Sequence, residues 1–144
     1  MTADDNRAVV RGYYETVYNG RDLDAIDRYL APGFVSAGPG GAVDRAAQAA
    51  ALAASLAALP DAHLVIEEQV AEGDAVATRW TMTATHLGPL FGIPATGRPV
   101  TATAIHIHHL AGGRIVDQWE QFDALGALRQ LGALPQPRPA GPEG

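Results

Sequence analysis

The stretch VTATAIHIHHLAGGRIVDQWEQFDALGALRQLG, residues 100–132, decides how the rest of the chain folds. Residues 100–110 carry β-branched side chains at most alternate positions. Ala111-Gly112-Gly113 is turn material, and residues 115–122 resume the strand pattern before a short helix. Two hairpin registers are open. A two-residue turn over Gly112-Gly113 sets His106 opposite Trp119. A three-residue turn ending in a left-handed Gly113 pairs Leu110 with Arg114 and His106 with Gln118. Because side chains alternate, the second register gathers Ala104, His106, His108, Gln118, Glu120 and Phe122 on one face. It leaves Ile105, Ile107, Ile115 and Trp119 on the other, and it is the register expected here. His106 and Glu120 are then diagonal cross-strand neighbours, on the order of 5–7 Å apart. That places a base and an acid in reach of one small molecule.

Composition narrows the function classes. At 144 residues the chain is long enough for one domain with a real core. A hydrophobic fraction of 47% against 18% charged residues is that of a globular protein. The formal charge of −6 and the lack of any basic patch argue against nucleic-acid binding. With no cysteine, thiol catalysis, disulfides and cysteine-ligated metals are excluded. No apolar run is long enough to span a membrane, and the start MTADDNRAVV lacks a signal-peptide pattern, so a cytoplasmic location is expected.

Working outward from the hairpin, the chain opens with a helix. Asp4 or Asp5 is placed to cap it, Val9, Val10, Tyr13, Tyr14, Val17 and Tyr18 recur at helical spacing, and Asn19-Gly20 stops it. A second helix is read over residues 22–30, ended by Pro32-Gly33. Phe34-Val35-Ser36 reads as a short strand leading to the loop Gly38-Pro39-Gly40-Gly41. Asp44 caps a third helix over residues 45–59, broken by Pro60. The period then changes to two, giving strands over 63–70 and 75–86 joined by Glu72-Gly73-Asp74. A long loop, residues 87–99, precedes the hairpin. The proline-rich tail, residues 135–144, is expected to be disordered, leaving residues 1–134 as a single domain. This order predicts an α+β fold, a curved antiparallel sheet wrapped over three helices.

Three stretches make a resemblance specific. These are His86-Leu87-Gly88 with residues 92–98 (GIPATGR), Gly113-Arg114-Ile115-Val116 with Trp119 and Asp123, and Gln130-Leu131-Gly132. In order and spacing they resemble the signals of the SnoaL-like polyketide cyclase family, within the nuclear-transport-factor-2-like superfamily. The likeness covers roughly Asp5 to Leu134. Ala95 stands where the family has a second proline, and Gln118 where many members have histidine. The resemblance implies a cone with an internal pocket, lined by His106, Glu120, Phe122, Trp80 and residues of the first helix. It implies an acid/base pair inside that cone, falling on His106 and Glu120, the two residues the register brings together. Asp123 is a further catalytic candidate, though it is also a natural N-cap for residues 124–131. Tyr14, Phe34, Trp80, Met82, His86, Phe91, His108, Gln118 and Phe122 are the expected substrate-binding residues.

The chemistry implied is an intramolecular aldol condensation of a polyketide-like small molecule. A carboxylate removes a proton from a methylene flanked by two carbonyls, and the enolate attacks a carbonyl folded near it. Burial is expected to raise the carboxylate's pKa. His106 donates to the developing oxyanion. No cofactor or metal is expected, because strand alternation sends His109 to the face opposite His106 and His108. Blander readings exist for the same residues: Glu120 as a solvated strand charge, His106 as a core histidine, Trp80, Met82, Tyr13 and Tyr14 as core. Rival functions are another tailoring enzyme on the same cone, such as an isomerase, epoxide hydrolase or hydroxylase-like protein, or a non-catalytic small-ligand carrier. A hydrolase would want an arginine inside, for which Arg79 and Arg98 are available. A homodimer or homotetramer is expected, because Ile105, Ile107, Ile115 and Trp119 would form an apolar patch on the outer sheet face.

Overall fold

The computed structural model describes residues 1–38 and 41–134. The proline-rich tail and the middle of the 38–41 loop therefore lie outside the described residues. A helix, α1 (Ala3–Tyr13), opens the chain and runs directly into a π-helical turn over Tyr14–Asn19. Thr2, not Asp4 or Asp5, is the cap. Its side chain accepts from the Asp5 N–H while Asp5 reaches back to the Thr2 N–H, a reciprocal capping box. Tyr13, Tyr14, Val17 and Tyr18 all point inward, as positions i, i+1, i+4 and i+5 on one helical face should. Asn19 then ties this end to the sheet, exchanging two hydrogen bonds with the Leu64 backbone at 2.8 and 2.9 Å.

The helix expected over residues 22–30 is shorter. It consists of a 3-10 turn (Leu23–Ala25) and one α-turn, α2 (Ile26–Tyr29), because Leu30 already begins strand β1 (Leu30–Gly38). Pro32-Gly33 does not end a helix. It sits inside β1, where the pairing with the last strand shifts between Leu30 and Val35, an irregularity that spares proline's missing donor. Strand β2 (Gly41–Asp44) pairs back on β1, and Asp44 caps α3 (Arg45–Ala58) by accepting from the Ala47 N–H. Three long strands follow: β3 (His63–Glu72), β4 (Ala75–Thr85) and β5 (Pro99–Ala111). Strand β6 (Arg114–Phe122) and helix α4 (Ala124–Gln130) complete the chain.

The six strands form one sheet in the order β2-β1-β6-β5-β4-β3. It is mixed, not purely antiparallel, because β1 and β6 run parallel. The sheet curves over α1, the π-helical turn and α3, and the core lies in that concavity. Val10, Tyr13, Tyr14 and Val17 meet Phe34, Leu64, Val76 and Ile115 there, all essentially inaccessible. Among the described residues no helix is long and apolar enough to cross a membrane.

The hairpin register resolves in a way neither expectation contained. The turn is a two-residue one, with Ala111 opposite Arg114 and both Gly112 (φ +58) and Gly113 (φ +80) left-handed. One step further, Val116 is an extra residue: Leu110 pairs with Ile115 but His109 pairs with Asp117. Beyond that bulge the pairing has moved by one, so His108 faces Gln118 and His106 faces Glu120 directly. The expected face of Ala104, His106, His108, Gln118, Glu120 and Phe122 is recovered. Ile115 is the casualty, since it lies before the bulge and points into the core rather than outward.

Candidate functional site

Helix α3, strands β4–β6 and the 87–98 loop enclose a cavity of about 250 Å³. Its walls are mostly apolar: Leu52, Leu56 and Leu59 from the α3 side, Trp80 and Met82 from β4, Val100 and Ala102 from β5, and Leu90 and Phe91 from the loop. Polar groups enter at few points, His106 and Glu120 on the sheet and Tyr18, Gln48 and Ser55 on the helices. A concave apolar pocket with a few convergent polar groups is the usual form of a small-molecule site.

His106 is buried and held from behind. The Tyr14 hydroxyl lies 2.6 Å from its Nδ1, and the two rings stack at 23°. Burial pushes the Tyr14 hydroxyl well above its ordinary pKa. The Glu120 carboxylate can only accept and faces Nε2, which favours the ring hydrogen there and leaves Nδ1 to accept from the Tyr14 hydroxyl. Nε2 has no hydrogen-bond partner and lies 3.7 Å from the nearer Glu120 carboxylate oxygen. At that distance the contact is electrostatic, slightly too long for a direct hydrogen bond. The facing His106 holds the Glu120 carboxyl below its ordinary range, outweighing the partial burial that pushes it up. The expected direction, upward by burial, is thus reversed. Glu120 is an anion at neutral pH with one edge open to the cavity.

Behind this pair runs a second buried chain. His108 Nε2 lies 2.8 Å from Gln118 Oε1, and Gln118 Nε2 donates to Ser36 Oγ at 3.2 Å. Since Gln118 offers an oxygen, His108 must carry its hydrogen on Nε2. Burial, reinforced by neighbouring His106, pushes His108 down to about 3, against the opposing pull of its bond to Gln118. The sign for stability follows. An unfolded chain takes up a proton at this position near pH 6.5, whereas the fold resists until about pH 3. Stability is expected to be untouched above pH 6.5 and to fall as pH drops through that window, by on the order of several kcal/mol at its lower end. Urea midpoints measured between pH 6.5 and 5, above the carboxylate range, isolate the effect. A His108→Leu variant should show a flatter dependence there, and an equal slope would sink this reading.

Of the expected site residues, the fold brings His106, Glu120, Trp80, Met82, Phe91 and Phe122 together on the cavity. It places the others elsewhere. Tyr14 lies behind His106, Phe34 is core, and His108 and Gln118 bond to each other. His86 is buried at the base of the long loop, with Nδ1 2.9 Å from Thr96 Oγ1 and accepting the Thr96 N–H at 3.2 Å. Gly97 donates to the His86 carbonyl, so this constellation closes the loop whose other end carries Leu90 and Phe91 over the cavity. Asp123 caps α4, accepting from the Gly126 N–H at 2.9 Å, and does not line the cavity. The arginines a hydrolase would need are also outside: Arg79 pairs with Glu68 on the exposed face, and Arg98 packs against Gly132 beside the Gln130 carbonyl. Gln48 and Ser55 were not anticipated. The signal existed, because they share a stripe with Leu52 and Leu56 at helical spacing, two polar residues on an otherwise apolar inner face.

Comparison with known proteins agrees with this geometry. The model of the family described as "SnoaL-like polyketide cyclase" matches residues 8–131. The chain belongs to the SnoaL-like polyketide cyclase family. Among curated relatives, the aklanonic acid methyl ester cyclase DnrD of Streptomyces peucetius is 33% identical over 137 residues, covering 92% of this chain and 94% of that one. DauD of Streptomyces sp. (strain C5), of the same description, is 32% identical over 92% of this chain and 84% of that one. Among solved structures, AclR from Streptomyces galilaeus, for which a hydroxylase role has been suggested, superposes with a TM-score of 0.86 at 28% identity, covering 94% and 89% of the two chains. The chain is a cyclase-family enzyme with the family's α+β cone.

Proposed function

We propose that the protein closes a ring in a polyketide by intramolecular aldol chemistry, without a cofactor, in the cytoplasm. The observation that carries this reading is the pairing of an anionic Glu120 with an Nε2–H of His106, 3.7 Å apart on the wall of an apolar cavity. Glu120 removes a proton from a methylene between two carbonyls, a carbon acidic enough for a carboxylate to serve as the base. His106 Nε2–H stabilises the oxygen on which negative charge gathers. The enolate carbon then bonds to a carbonyl carbon of the same molecule, whose oxygen takes up the proton. The cavity contributes by holding a flexible chain folded on itself.

The substrate of the curated relatives, aklanonic acid methyl ester, is the starting point for a test. Incubated with the protein, it should yield a ring-closed product with the substrate's mass, or that mass less one water. A product heavier by one oxygen would instead favour the hydroxylase reading that AclR raises. Unchanged substrate alongside tight binding would favour a carrier.

The same reading includes a homo-oligomer. Ile107 and Trp119 are direct cross-strand partners on the outer face, with Ile105 beside them, and the three are 40%, 48% and 48% exposed. Ile115, now in the core, no longer contributes to this patch. A second copy packed sheet against sheet would cover it. Trp119→Glu, which puts a charge from each copy into that interface, should shift the assembly to monomer in light scattering. A wild type already monomeric at micromolar concentration removes this part of the reading.

A further inference from the structure

Glu120 does not line one cavity only. On its far side a second cavity of about 370 Å³ opens between the β1–β2 hairpin and the start of α4. Gln48, Glu120 and Phe122 line both. They form a partition, with Gln48 reaching from α3 and the other two from β6. The chambers differ in chemistry. The inner one is walled mostly by leucines and aromatic rings, while the outer one has Ser36, Ala37, Gly38, Gly41 and Ala124 in place of those large apolar groups. The Ser36 hydroxyl accepts from Gln118 and retains a proton to give.

At 250 Å³ the inner chamber falls below the range of roughly 300–1,000 Å³ usual for small-molecule sites. Together the two chambers fall well within it. We propose that the outer chamber is a second binding subsite, which takes the neutral, carbonyl-bearing tail of an elongated polyketide whose ring-bearing end fills the inner chamber. The reacting methylene then lies at the partition, beside the Glu120 carboxylate. Amide and hydroxyl donors of Gln48 and Ser36 face the tail's oxygens, and the Glu120 charge disfavours an anionic tail there. This rests on the cyclase reading for which carbon sits at Glu120. The subsite would make chain length beyond the reacting carbon a determinant of specificity.

Two probes test it by isothermal titration calorimetry, which needs no turnover. One is 1-phenylbutane-1,3-dione, which has no tail. The other is methyl 3,5-dioxo-5-phenylpentanoate, the same diketone extended by a methyl ester. Wild type should bind the ester about 10-fold more tightly, the size of effect expected for a hydrogen-bonded, desolvated ester group. Val43→Phe and Ala124→Phe each fill the outer chamber from an exposed position that does not line the inner one. Each should bring the two Kd values to within about twofold while leaving that of the shorter diketone unchanged. Equal affinities in wild type, or an ester advantage that survives both substitutions, overturns the proposal. Failure of the cyclase reading appears separately, as turnover that persists in Glu120→Gln.

Discussion

Glu120→Gln is expected to abolish ring closure, with turnover lost by at least about 10³-fold while the fold is kept. Proton transfer by a positioned group contributes typically 10²–10⁴-fold, and here the same group also fixes where the enolate forms. The substitution keeps shape and removes only the proton acceptor. Glu120 makes no hydrogen bond on which the fold depends, and its side chain is about one-third exposed, so the melting temperature should hardly move. Asp123→Asn supplies the contrast. It weakens an N-cap and should cost about 1 kcal/mol or less of stability, with activity retained. A dead Asp123→Asn with a normal melting temperature, beside an active Glu120→Gln, would transfer the role to Asp123. The lowered pKa of Glu120 adds a pH signature. Since the carboxylate form is favoured, the acid limb of the rate profile should lie below pH 4.5, provided the fold survives there.

The shared face of His106 and Glu120 was legible in the sequence because side-chain alternation constrains parity more firmly than register. Two glycines at the turn pointed to a tight hairpin, and either of two turn lengths was compatible with them. The structure has the shorter turn and then inserts Val116, which moves every later pair by one. Parity beyond the bulge therefore matches the longer-turn model, and His106 and Glu120 share a face as that model required. Parity before the bulge does not match, which is why Ile115 was assigned to the wrong side. Nothing in Arg114-Ile115-Val116-Asp117 announces a bulge, because its stabilisation comes from the curvature of the whole sheet.

The same distinction separates the other hits from the misses. Asp44 and Asp123 were readable as caps because the bond each makes is local, three residues away in sequence. Thr2 offered an equally local capping box but was passed over for two aspartates closer to the apolar run. Longer-range facts were out of reach. The partnership of Tyr14 with His106 spans 92 residues, and that of Ser36 with Gln118 spans 82. His86 looked like a pocket residue by type. Only the fold reveals that its ring closes a loop on Thr96. Helix α3 was expected as a helix under the sheet with no site residue on it, yet its inner stripe provides one wall of the cavity and, through Gln48, part of the partition between the two chambers.

His106→Ala should lower the rate by roughly 10²–10³-fold with little change in KM, the loss expected when one donor to a developing oxyanion is removed. The geometry makes the role of this ring directional. Tyr14 bonds Nδ1 from behind while the Glu120 carboxylate faces Nε2, an arrangement that suits a hydrogen on Nε2. We expect Tyr14 to act as a donor that holds this tautomer without entering the reaction. Tyr14→Phe should accordingly cost less than His106→Ala, about tenfold, by releasing the ring to populate the other tautomer. In the double variant the second change should add nothing, since a tyrosine that acts only through His106 has no role once the ring is gone. Fully additive losses would mean that Tyr14 touches the substrate itself, and a His106→Ala variant with wild-type turnover would remove this ring from the reaction.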